Sequence, residues 1–243
     1  MEAIILEDLT KKYRERVAVD HLSMTINEGE LLALLGFNGA GKTTTIKLLS
    51  GLATPTEGNA WILGKSILTA MEEIKKSLNI SPQETAIAPN LTVNENLVFI
   101  AEVYGLTREV ARQKAEDMMA RFNMLDRKKE KAKKLSGGLK RRLSIAMALI
   151  SEPKVLFLDE PTLGLDVRAR RDLWKIILEL KGKVTILLTS HYLDEVEALA
   201  DRIAILDKGK LKLMGSLAEL KLKTQMTSLE EIFLSETEGE VVQ

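Results

Sequence analysis

LLALLGFNGAGKT, residues 31–43, is the stretch from which the architecture of this chain follows. Its first five residues form a continuous apolar run, a pattern typical of a strand that is buried on both faces, as in a parallel sheet. Gly36 ends the run, and residues 36–43 match the pattern G-x-x-x-x-G-K-[ST]. Residues 43–49 then indicate a helix, which Gly51 stops. The sequence therefore predicts a strand, a glycine-rich loop and a helix in direct succession.

The glycine-rich loop has the composition of a phosphate-binding loop. Glycine lets successive backbone N–H groups turn toward phosphate oxygens, and the start of the following helix adds partial positive charge. Lys42 is expected to reach the β- and γ-phosphates of a nucleotide, and the Thr43 hydroxyl to bind Mg²⁺. The alternative is a glycine-rich turn with a solvated lysine. The predicted nucleotide-binding residues of the loop are Asn38, Gly39, Ala40, Gly41, Lys42, Thr43 and Thr44.

A second apolar run, residues 155–158, ends in two adjacent carboxylates, Asp159 and Glu160. Two acids where a strand leaves the core repel each other and lose hydration, so a cation or a basic partner is expected there unless the strand end is simply wet. A Mg²⁺-nucleotide site supplies that cation. We predict that Asp159 holds the metal and that Glu160 polarises a water for attack on the γ-phosphate.

The remaining pattern places helices between two groups of strands. Further strands are predicted at residues 3–6, 17–26, 59–63, 184–188 and 203–206. From about residue 91 to 153 the pattern is helical only, with helices at 97–104, 107–122 and 136–150. A helix at 167–180 joins two strands without a hairpin signal, which predicts that those strands pair in parallel. Residues 208–210 indicate a hairpin turn, and short helices follow at 216–222 and 228–234.

Composition restricts the classes of function. The chain has 35 basic and 35 acidic residues, and zero net charge argues against a protein that mainly wraps a polyanion. It has no cysteine and two histidines, which excludes disulfides and disfavours a zinc site. The basic run 127–134 is expected to be a solvated face. No signal peptide or run of about 18 apolar residues is present, so we expect a cytoplasmic location and a membrane role only through a partner.

With these residues identified, the chain resembles the nucleotide-binding subunit of an ATP-binding cassette (ABC) transporter over essentially its whole length. Leu135-Ser136-Gly137-Gly138 is similar to the signature sequence of that family, at the start of a helix. The resemblance implies that Ser136 and the amides of Gly137 and Gly138 bind the γ-phosphate of a nucleotide held by a second subunit. By itself the pattern is also that of an ordinary helix cap.

Four further positions resemble functional residues of the family. Gln83 is similar to the glutamine that touches Mg²⁺ or the attacking water, although a plain loop glutamine is the alternative. Asp166 resembles the loop aspartate that crosses the subunit interface, and it can also cap a helix. His191 resembles the switch histidine that contacts the γ-phosphate, whereas a lone histidine is more often structural. Tyr13 resembles the aromatic residue that stacks on adenine, the alternative being a tyrosine packed on a strand edge.

Two positions depart from the family pattern. Leu139 stands where glutamine is most common, and Phe37 stands where proline is common. Little loss is expected at residue 139, because the implied phosphate contacts come from Ser136 and backbone amides. The Phe37 side chain is expected to point away from the phosphates. The run Lys140-Arg141-Arg142 is similar to export-type members of the family.

The resemblance implies an α/β fold: a P-loop NTPase-like ABC ATPase core with a mainly parallel sheet, an antiparallel β subdomain and an inserted α-helical subdomain. Residues 1–90 and 154–220 are predicted to form the nucleotide-binding core. Residues 91–153 would form the helical subdomain that carries the signature. Residues 221–243 would form a short C-terminal helix and tail.

The implied function is an ATPase subunit that uses ATP and Mg²⁺ and powers a separate membrane permease. Two copies, or one copy and a related subunit, would close head to tail around ATP, at the inner face of the cell membrane. Residues 95–106 and 229–234 resemble the branch that exports drugs, antibiotics, sodium or other small molecules. The alternatives are a soluble ABC ATPase in repair, translation or cofactor assembly, which zero net charge disfavours, and a binding-only regulatory module, which Asp159, Glu160 and His191 disfavour. No nucleic-acid partner is expected.

Overall fold

The computed structural model describes residues 1–237. Its strands are β1 (Glu2–Tyr13), β2 (Arg16–Asn27), β3 (Leu31–Leu35), β4 (Glu57–Ile62), β5 (Lys65–Ser66), β6 (Leu78–Ser81), β7 (Val155–Asp159), β8 (Thr185–Ser190), β9 (Arg202–Asp207) and β10 (Lys210–Gly215). Its helices are α1 (Lys42–Leu49), α2 (Met71–Ile74), α3 (Val93–Val103), α4 (Arg108–Arg121), α5 (Gly137–Leu149), α6 (Val167–Leu178), α7 (Leu193–Leu199), α8 (Leu217–Thr224) and α9 (Leu229–Thr237).

The central sheet has six strands in the order β10-β9-β3-β8-β7-β6. The pairs β9–β3, β3–β8, β8–β7 and β7–β6 are parallel, and β10 lies antiparallel on one edge. This arrangement confirms the predicted parallel pairing of β7 with β8 and the hairpin at residues 208–210. Because the strands are parallel, the chain leaves β3, β6, β7 and β8 at the same edge of the sheet.

A second, antiparallel sheet has four strands in the order β2-β1-β4-β5, as predicted for the N-terminal part. Strands β1 and β2 are twelve residues each and pair through several register shifts. Such irregularities bend and twist a strand pair. The turn between these strands carries residues 13–16 to the mouth of the phosphate-loop cavity described below.

Two apolar clusters lie on opposite faces of the central sheet. In β3, Leu32 and Leu34 belong to the cluster shared with the antiparallel sheet and α1, whereas Leu31, Ala33 and Leu35 belong to the cluster shared with the helices. All five residues are fully buried. A strand covered on both faces needs apolar residues at every position, which explains the uninterrupted run in the sequence.

The segment between β6 and β7 is helical, as predicted. Thr92 and Glu95 form a capping box at the start of α3, in which each side chain accepts a hydrogen bond from the other residue's backbone N–H. Buried residues of α3, α4 and α5 share one apolar cluster with the central sheet. The division into subdomains at residues 91 and 153 stays a prediction, and residues 238–243 of the predicted tail lie outside the described residues.

The sequence pattern did not predict four short elements, of which β5 has only two residues. Strand β6 has four residues, and its Asn79 and Ser81 interrupt any apolar run. Helices α2 and α7 have four and seven residues, too few for a helical period to be recognised. Tertiary pairing with β7 rather than local propensity therefore defines β6. Among residues 1–237, no helix has the length and apolar character that a membrane crossing requires.

Candidate active site

The predicted site residues follow strands that end at one edge of the central sheet. The glycine-rich loop follows β3, Asp159 ends β7, His191 follows β8, and Gln83 lies two residues beyond β6. Strand β8 lies between β3 and β7, so the loop and the carboxylates are separated by one strand only. The topology therefore gathers residues that are far apart in the sequence.

The glycine-rich loop wraps around the ammonium group of Lys42. Gly41 has a φ of 106°, and a Cβ there would lie 2.6 Å from the Ala18 carbonyl oxygen, so the position requires glycine. Lys42 is only 4% exposed, and its Nζ donates to the carbonyl oxygens of Gly36 at 2.7 Å and Phe37 at 3.2 Å. The loop thus fixes a buried cation at the start of α1.

A carboxylate balances this cation. Glu160 Oε1 lies 3.4 Å from Lys42 Nζ, and Glu160 Oε2 lies 3.1 Å from His191 Nδ1. Burial lowers the pKa of Lys42, and the negative charges of Glu160 and Asp159 oppose that shift. Of the two adjacent acids at the end of β7, Glu160 is therefore paired with the basic side chain of Lys42, whereas Asp159 accepts hydrogen bonds from hydroxyl groups.

The backbone of Glu160 is held in a conformation that non-glycine residues rarely adopt. Its φ is 45°, in the left-handed region, which costs about 1–3 kcal/mol for such a residue. The Glu160 N–H donates to Thr189 Oγ1 at 2.9 Å and lies 3.2 Å from the Thr189 carbonyl oxygen. These bonds to β8 hold the strained turn and direct the carboxylate toward Lys42.

Asp159 lies beside Thr43, as a shared metal site would require. Asp159 Oδ1 accepts hydrogen bonds from Thr189 Oγ1 at 2.6 Å and from Thr43 Oγ1 at 3.2 Å. Carboxylate and hydroxyl oxygens suit Mg²⁺, which usually takes one or two protein ligands together with substrate phosphates. Within the described residues, no three acidic or histidine side chains group as a metal site. The residues therefore fit a Mg²⁺ ion that a nucleotide helps to hold, rather than a metal bound by protein alone.

A cavity of about 580 Å³ opens in front of the loop. It is lined by Tyr13, Arg16, Ala18, Asn38, Gly39, Gly41, Lys42, Thr43, Thr44, Gln83 and Glu160. Of the predicted loop residues, Ala40 is buried behind the lining, where its carbonyl oxygen accepts from the Gly209 N–H at 3.0 Å. Asp159 and His191 are not among the lining residues, but Asp159 contacts Thr43, and His191 Nδ1 lies 3.1 Å from Glu160 Oε2. Tyr13 is 45% exposed and is the last residue of β1.

The signature residues and Asp166 do not line this cavity. Ser136 caps α5 by accepting from the Leu139 N–H at 3.4 Å, and Asp166 caps α6 by accepting from the Ala169 N–H at 2.9 Å. A Cβ on Gly138 would lie 3.2 Å from the Ala169 Cβ, so the starts of the two helices are adjacent. Ser136, Gly137 and Asp166 are exposed. The structure thus presents these residues on the surface, away from the chain's own phosphate loop.

Four residues of the site were not predicted, among them Ala18, which lines the cavity. Thr189 binds both carboxylate-bearing residues, and a polar residue at the end of the apolar strand β8 was the available signal. Arg16 lines the cavity and donates to the Gly39 carbonyl oxygen at 3.4 Å. Arg141 donates to the carbonyl oxygens of Asp159 and Pro161, and nothing in its local sequence distinguishes it from its basic neighbours.

Phe37 contacts the C-terminal helix. Its ring centroid lies 4.8 Å from that of Phe233 in α9, with an angle of 56° between the rings. Tilted aromatic pairs at this distance are favourable. Phe37 is not among the residues that line the cavity, in keeping with the expected direction of its side chain.

Comparison with known proteins agrees with this geometry. The family model described as "ABC transporter" matches residues 19–163, which include the phosphate loop, the signature and the Asp159-Glu160 pair. The mouse "Phospholipid-transporting ATPase ABCA3" is 44% identical over 210 residues, which are 86% of this chain and 12% of that protein. "ABC transporter A family member 9" of Dictyostelium discoideum is 40% identical over 90% of this chain and 26% of that protein. The chain thus spans a small part of the length of these relatives.

Solved structures match almost the whole chain. The "ATP binding subunit of ABC transporter" superimposes with a TM-score of 0.86 and 30% identity, covering 96% of this chain and 99% of that one. The cbiO1 protein of Clostridium perfringens, described as part of the ABC transporter complex cbiONQ, gives a TM-score of 0.82 and 27% identity over 92% of both chains. These matches confirm the predicted fold class, and the chain belongs to the ABC transporter family, of which it forms an ATP-binding ATPase domain.

Proposed function

We propose that this chain binds Mg²⁺-ATP in the cavity before its phosphate loop, hydrolyses it with Glu160, and thereby drives a separate membrane permease. One observation carries the proposal: the Glu160 carboxylate lies between Lys42 and His191 at the wall of a cavity that the phosphate loop lines. A carboxylate at that place can contact water beside a γ-phosphate held by Lys42. The match to ATP-binding subunits over nearly the whole chain supports this reading.

The phosphates would be held by the loop and the start of α1. Lys42 would exchange its contacts with Gly36 and Phe37 for the β- and γ-phosphate oxygens. Thr43 and Asp159 are the residues that would hold Mg²⁺, which when bound neutralises the charge of the phosphates. Gln83 lines the same cavity and would reach either the metal or the water.

Glu160 would act as the general base. The left-handed turn fixes its backbone, and the partners at its two carboxylate oxygens, Lys42 and His191, fix its side chain. Once Lys42 turns to phosphate, Glu160 is free to accept a proton from the attacking water. His191, which contacts the second oxygen of that carboxylate, would touch the γ-phosphate and orient both groups. Tyr13, which also lines the cavity, would stack on the base, a contact that tolerates different bases.

A second cassette would complete the site. Ser136 and Gly137 are exposed at the start of α5, where free N–H groups and the helix dipole favour an anion. Asp166 is adjacent, between Leu163 and Val167, whose apolar side chains are 41% and 63% exposed. We infer that this surface covers the γ-phosphate of a second copy, or of a related subunit, in a head-to-tail dimer. ATP would favour the closed dimer because only that state makes both sets of contacts.

The permease would dock beside the helical segment. Phe99, Val103 and Tyr104 of α3 and its end are 53%, 63% and 40% exposed, an unusual density of large apolar groups for a free surface. Val103 and Tyr104 also line a groove of about 710 Å³ against the edge strand β6. Gln83 follows β6, so a partner in this groove would be close to the nucleotide cavity. The proposed docking surface is residues 82–104.

The cassette would work at the cytoplasmic face of the cell membrane, bound there by its permease, and would power export. Drugs, antibiotics and ions are the proposed cargo classes. The name of the mouse relative adds phospholipids to them. The cargo itself would be selected by the permease, because ATP would occupy the cavity of this chain.

Glu160→Gln tests the proposal directly. The amide keeps the size of the side chain but cannot accept a proton, so ATP binding should persist while turnover falls about a hundredfold or more. Phosphate release measures turnover, and fluorescence of a labelled ATP analogue measures binding. Glu197→Gln, an exposed change on α7, is the control and should hydrolyse ATP at the wild-type rate. Hydrolysis by Glu160→Gln at the wild-type rate would remove Glu160 from the mechanism.

A further inference from the structure

Arg141 is a buried cation that binds carbonyl oxygens from two different strand ends. It is 4% exposed and projects from the second turn of α5. Its Nη2 donates to Asp159 O at 2.6 Å and its Nε donates to Pro161 O at 2.8 Å. Its Nη1 donates to Pro82 O and, at 3.4 Å, to Gln83 O. One guanidinium group therefore joins α5 to the loop after β6 and to the turn after β7.

The Arg141 guanidinium is charged, and its N–H groups donate to backbone carbonyl oxygens. Burial lowers the pKa of Arg141 to about 10, with the negative charges of Asp159, Glu195 and Glu160 opposing the shift, so the group is a cation at neutral pH. A buried cation is costly unless its N–H groups are satisfied, and here they go to the backbone of two loops. The planar guanidinium can address several acceptors in one plane, whereas an ammonium donates from a single point.

The three elements that Arg141 joins carry different parts of the proposed reaction. Helix α5 begins at the signature residues, which would face the nucleotide of a second copy. The loop after β6 carries Gln83, and the turn after β7 carries Asp159 and Glu160. A displacement of α5 by a second copy would therefore move the acceptors of Arg141, and with them the groups that line this chain's own cavity.

We infer that Arg141 is a positioning residue that couples the signature helix of this chain to the Gln83 and Asp159 loops, so that hydrolysis in its own cavity depends on the position of its own α5. The inference rests on the proposed function. Arg141 is not among the residues that line the cavity, whereas Gln83 and Glu160, in the two loops that it holds, are. It therefore acts through Gln83, Asp159 and Glu160.

Arg141→Lys and Arg142→Lys form a matched pair. Arg142 is the next residue of α5, and its Nη2 lies 3.1 Å from Asp172 Oδ2, an ion pair that lysine can also make. Arg141→Lys should lower kcat about tenfold or more while the ATP affinity of the monomer stays within about twofold, since misplacing reacting groups costs rate rather than ground-state binding. Arg142→Lys should change neither value by more than about twofold.

Chemical rescue separates positioning from simple support of the fold. Arg141→Ala should recover kcat when methylguanidinium is added at low millimolar concentration, and methylammonium should not restore it. Rescue by both ions or by neither would overturn the inference, as would wild-type kcat in Arg141→Lys or a fall in ATP affinity that matches its fall in kcat. Glu160→Gln is assayed beside these variants: if it matches wild type, the proposed function fails, whereas a normal Arg141→Lys against an inactive Glu160→Gln defeats only the role of Arg141.

Discussion

Single side chains behind the cavity hold the residues that would carry out the reaction. Glu195 of α7 is fully buried and accepts hydrogen bonds from Ser190 Oγ at 2.7 Å and Trp174 Nε1 at 3.2 Å. Ser190 directly precedes His191, so these bonds tie the end of β8 to α6 and α7. Burial is the main cause that raises the pKa of Glu195, and the hydrogen bonds oppose it. The position of His191 thus depends on a buried, hydrogen-bonded carboxyl group.

The raised pKa predicts a pH dependence of stability. A carboxyl whose folded pKa exceeds its unfolded value of 4.5 adds stability below pH 4.5 that is lost as pH rises through the folded pKa. Each unit of that shift corresponds to about 1.4 kcal/mol. Glu195→Gln, which resembles the protonated acid, should therefore gain stability relative to wild type between pH 5 and pH 8, measured by urea unfolding. Glu197→Gln on the exposed face of α7 controls for the lost charge. The prediction would be contradicted if the difference in unfolding free energy between wild type and Glu195→Gln were the same at pH 5 and pH 8.

Residues could be predicted from sequence where chemistry and spacing coincide. The loop residues 38–44 follow from a strand, a loop and a helix in succession, and the pair Asp159-Glu160 follows from the end of a second apolar run. Glu160 and all of these loop residues except Ala40 line one cavity. Arg141 and Thr189 could not be predicted. Their roles depend on backbone acceptors and donors that only the folded sheet brings within reach. What these two residues do is decided by the groups around them in the fold, not by their residue type.

At the scale of elements, the starts of two helices form the proposed contact with a second copy. Helix α5 begins at Gly137 and α6 begins after Asp166, and the two starts pack against each other through Gly138 and Ala169. A Cβ on Gly138 would press on Ala169, whereas a Cβ on Gly137 would meet nothing within 4 Å. Substitution at Gly137 therefore changes the surface without disturbing the packing.

Gly137→Asp should separate the composite site from the chain's own cavity. An acid in the first turn of a helix is compatible with folding, because the helix dipole stabilises a negative charge there. The same charge would repel the γ-phosphate of a second copy. We expect unchanged ATP binding by the monomer and hydrolysis lowered about tenfold or more. Gly137→Asn, whose side chain has the same shape as aspartate but no charge, should lower hydrolysis less than Gly137→Asp does. Weak ATP binding by the Gly137→Asp monomer would instead place the signature at its own chain's nucleotide.

Helices long enough to show a helical period and strands with an uninterrupted apolar run were predicted, whereas short elements were not. Strand β3 has the predicted bounds, and α3, α4 and α5 lie within a few residues of their predicted positions. Strand β1 extends to Tyr13, well past the predicted end at residue 6, because pairing with β2 and β4 maintains it where its own pattern is weak. Strand β6 exists through its pairing with β7. Sheet neighbours supply stabilisation that no local window contains.

At the scale of the whole molecule, the central sheet, the antiparallel sheet and the helical segment each carry a different part of the proposed site. The carboxyl edge of the central sheet carries the phosphate loop and the carboxylates, the antiparallel sheet carries Tyr13 to the cavity, and the helical segment carries the signature. The signature residues do not line the cavity of their own phosphate loop. The proposed function therefore requires two cassettes for one complete site.

Sedimentation equilibrium of Glu160→Gln is the most direct test of that requirement. With Mg²⁺ and saturating ATP the protein should sediment at twice the 27.0 kDa mass of the chain, and it should return to the single mass with ADP or when Gly137→Asp is added. A protein that remains at 27.0 kDa with ATP demonstrably bound, or that dimerises equally well with ADP, would contradict the claim that ATP joins two cassettes.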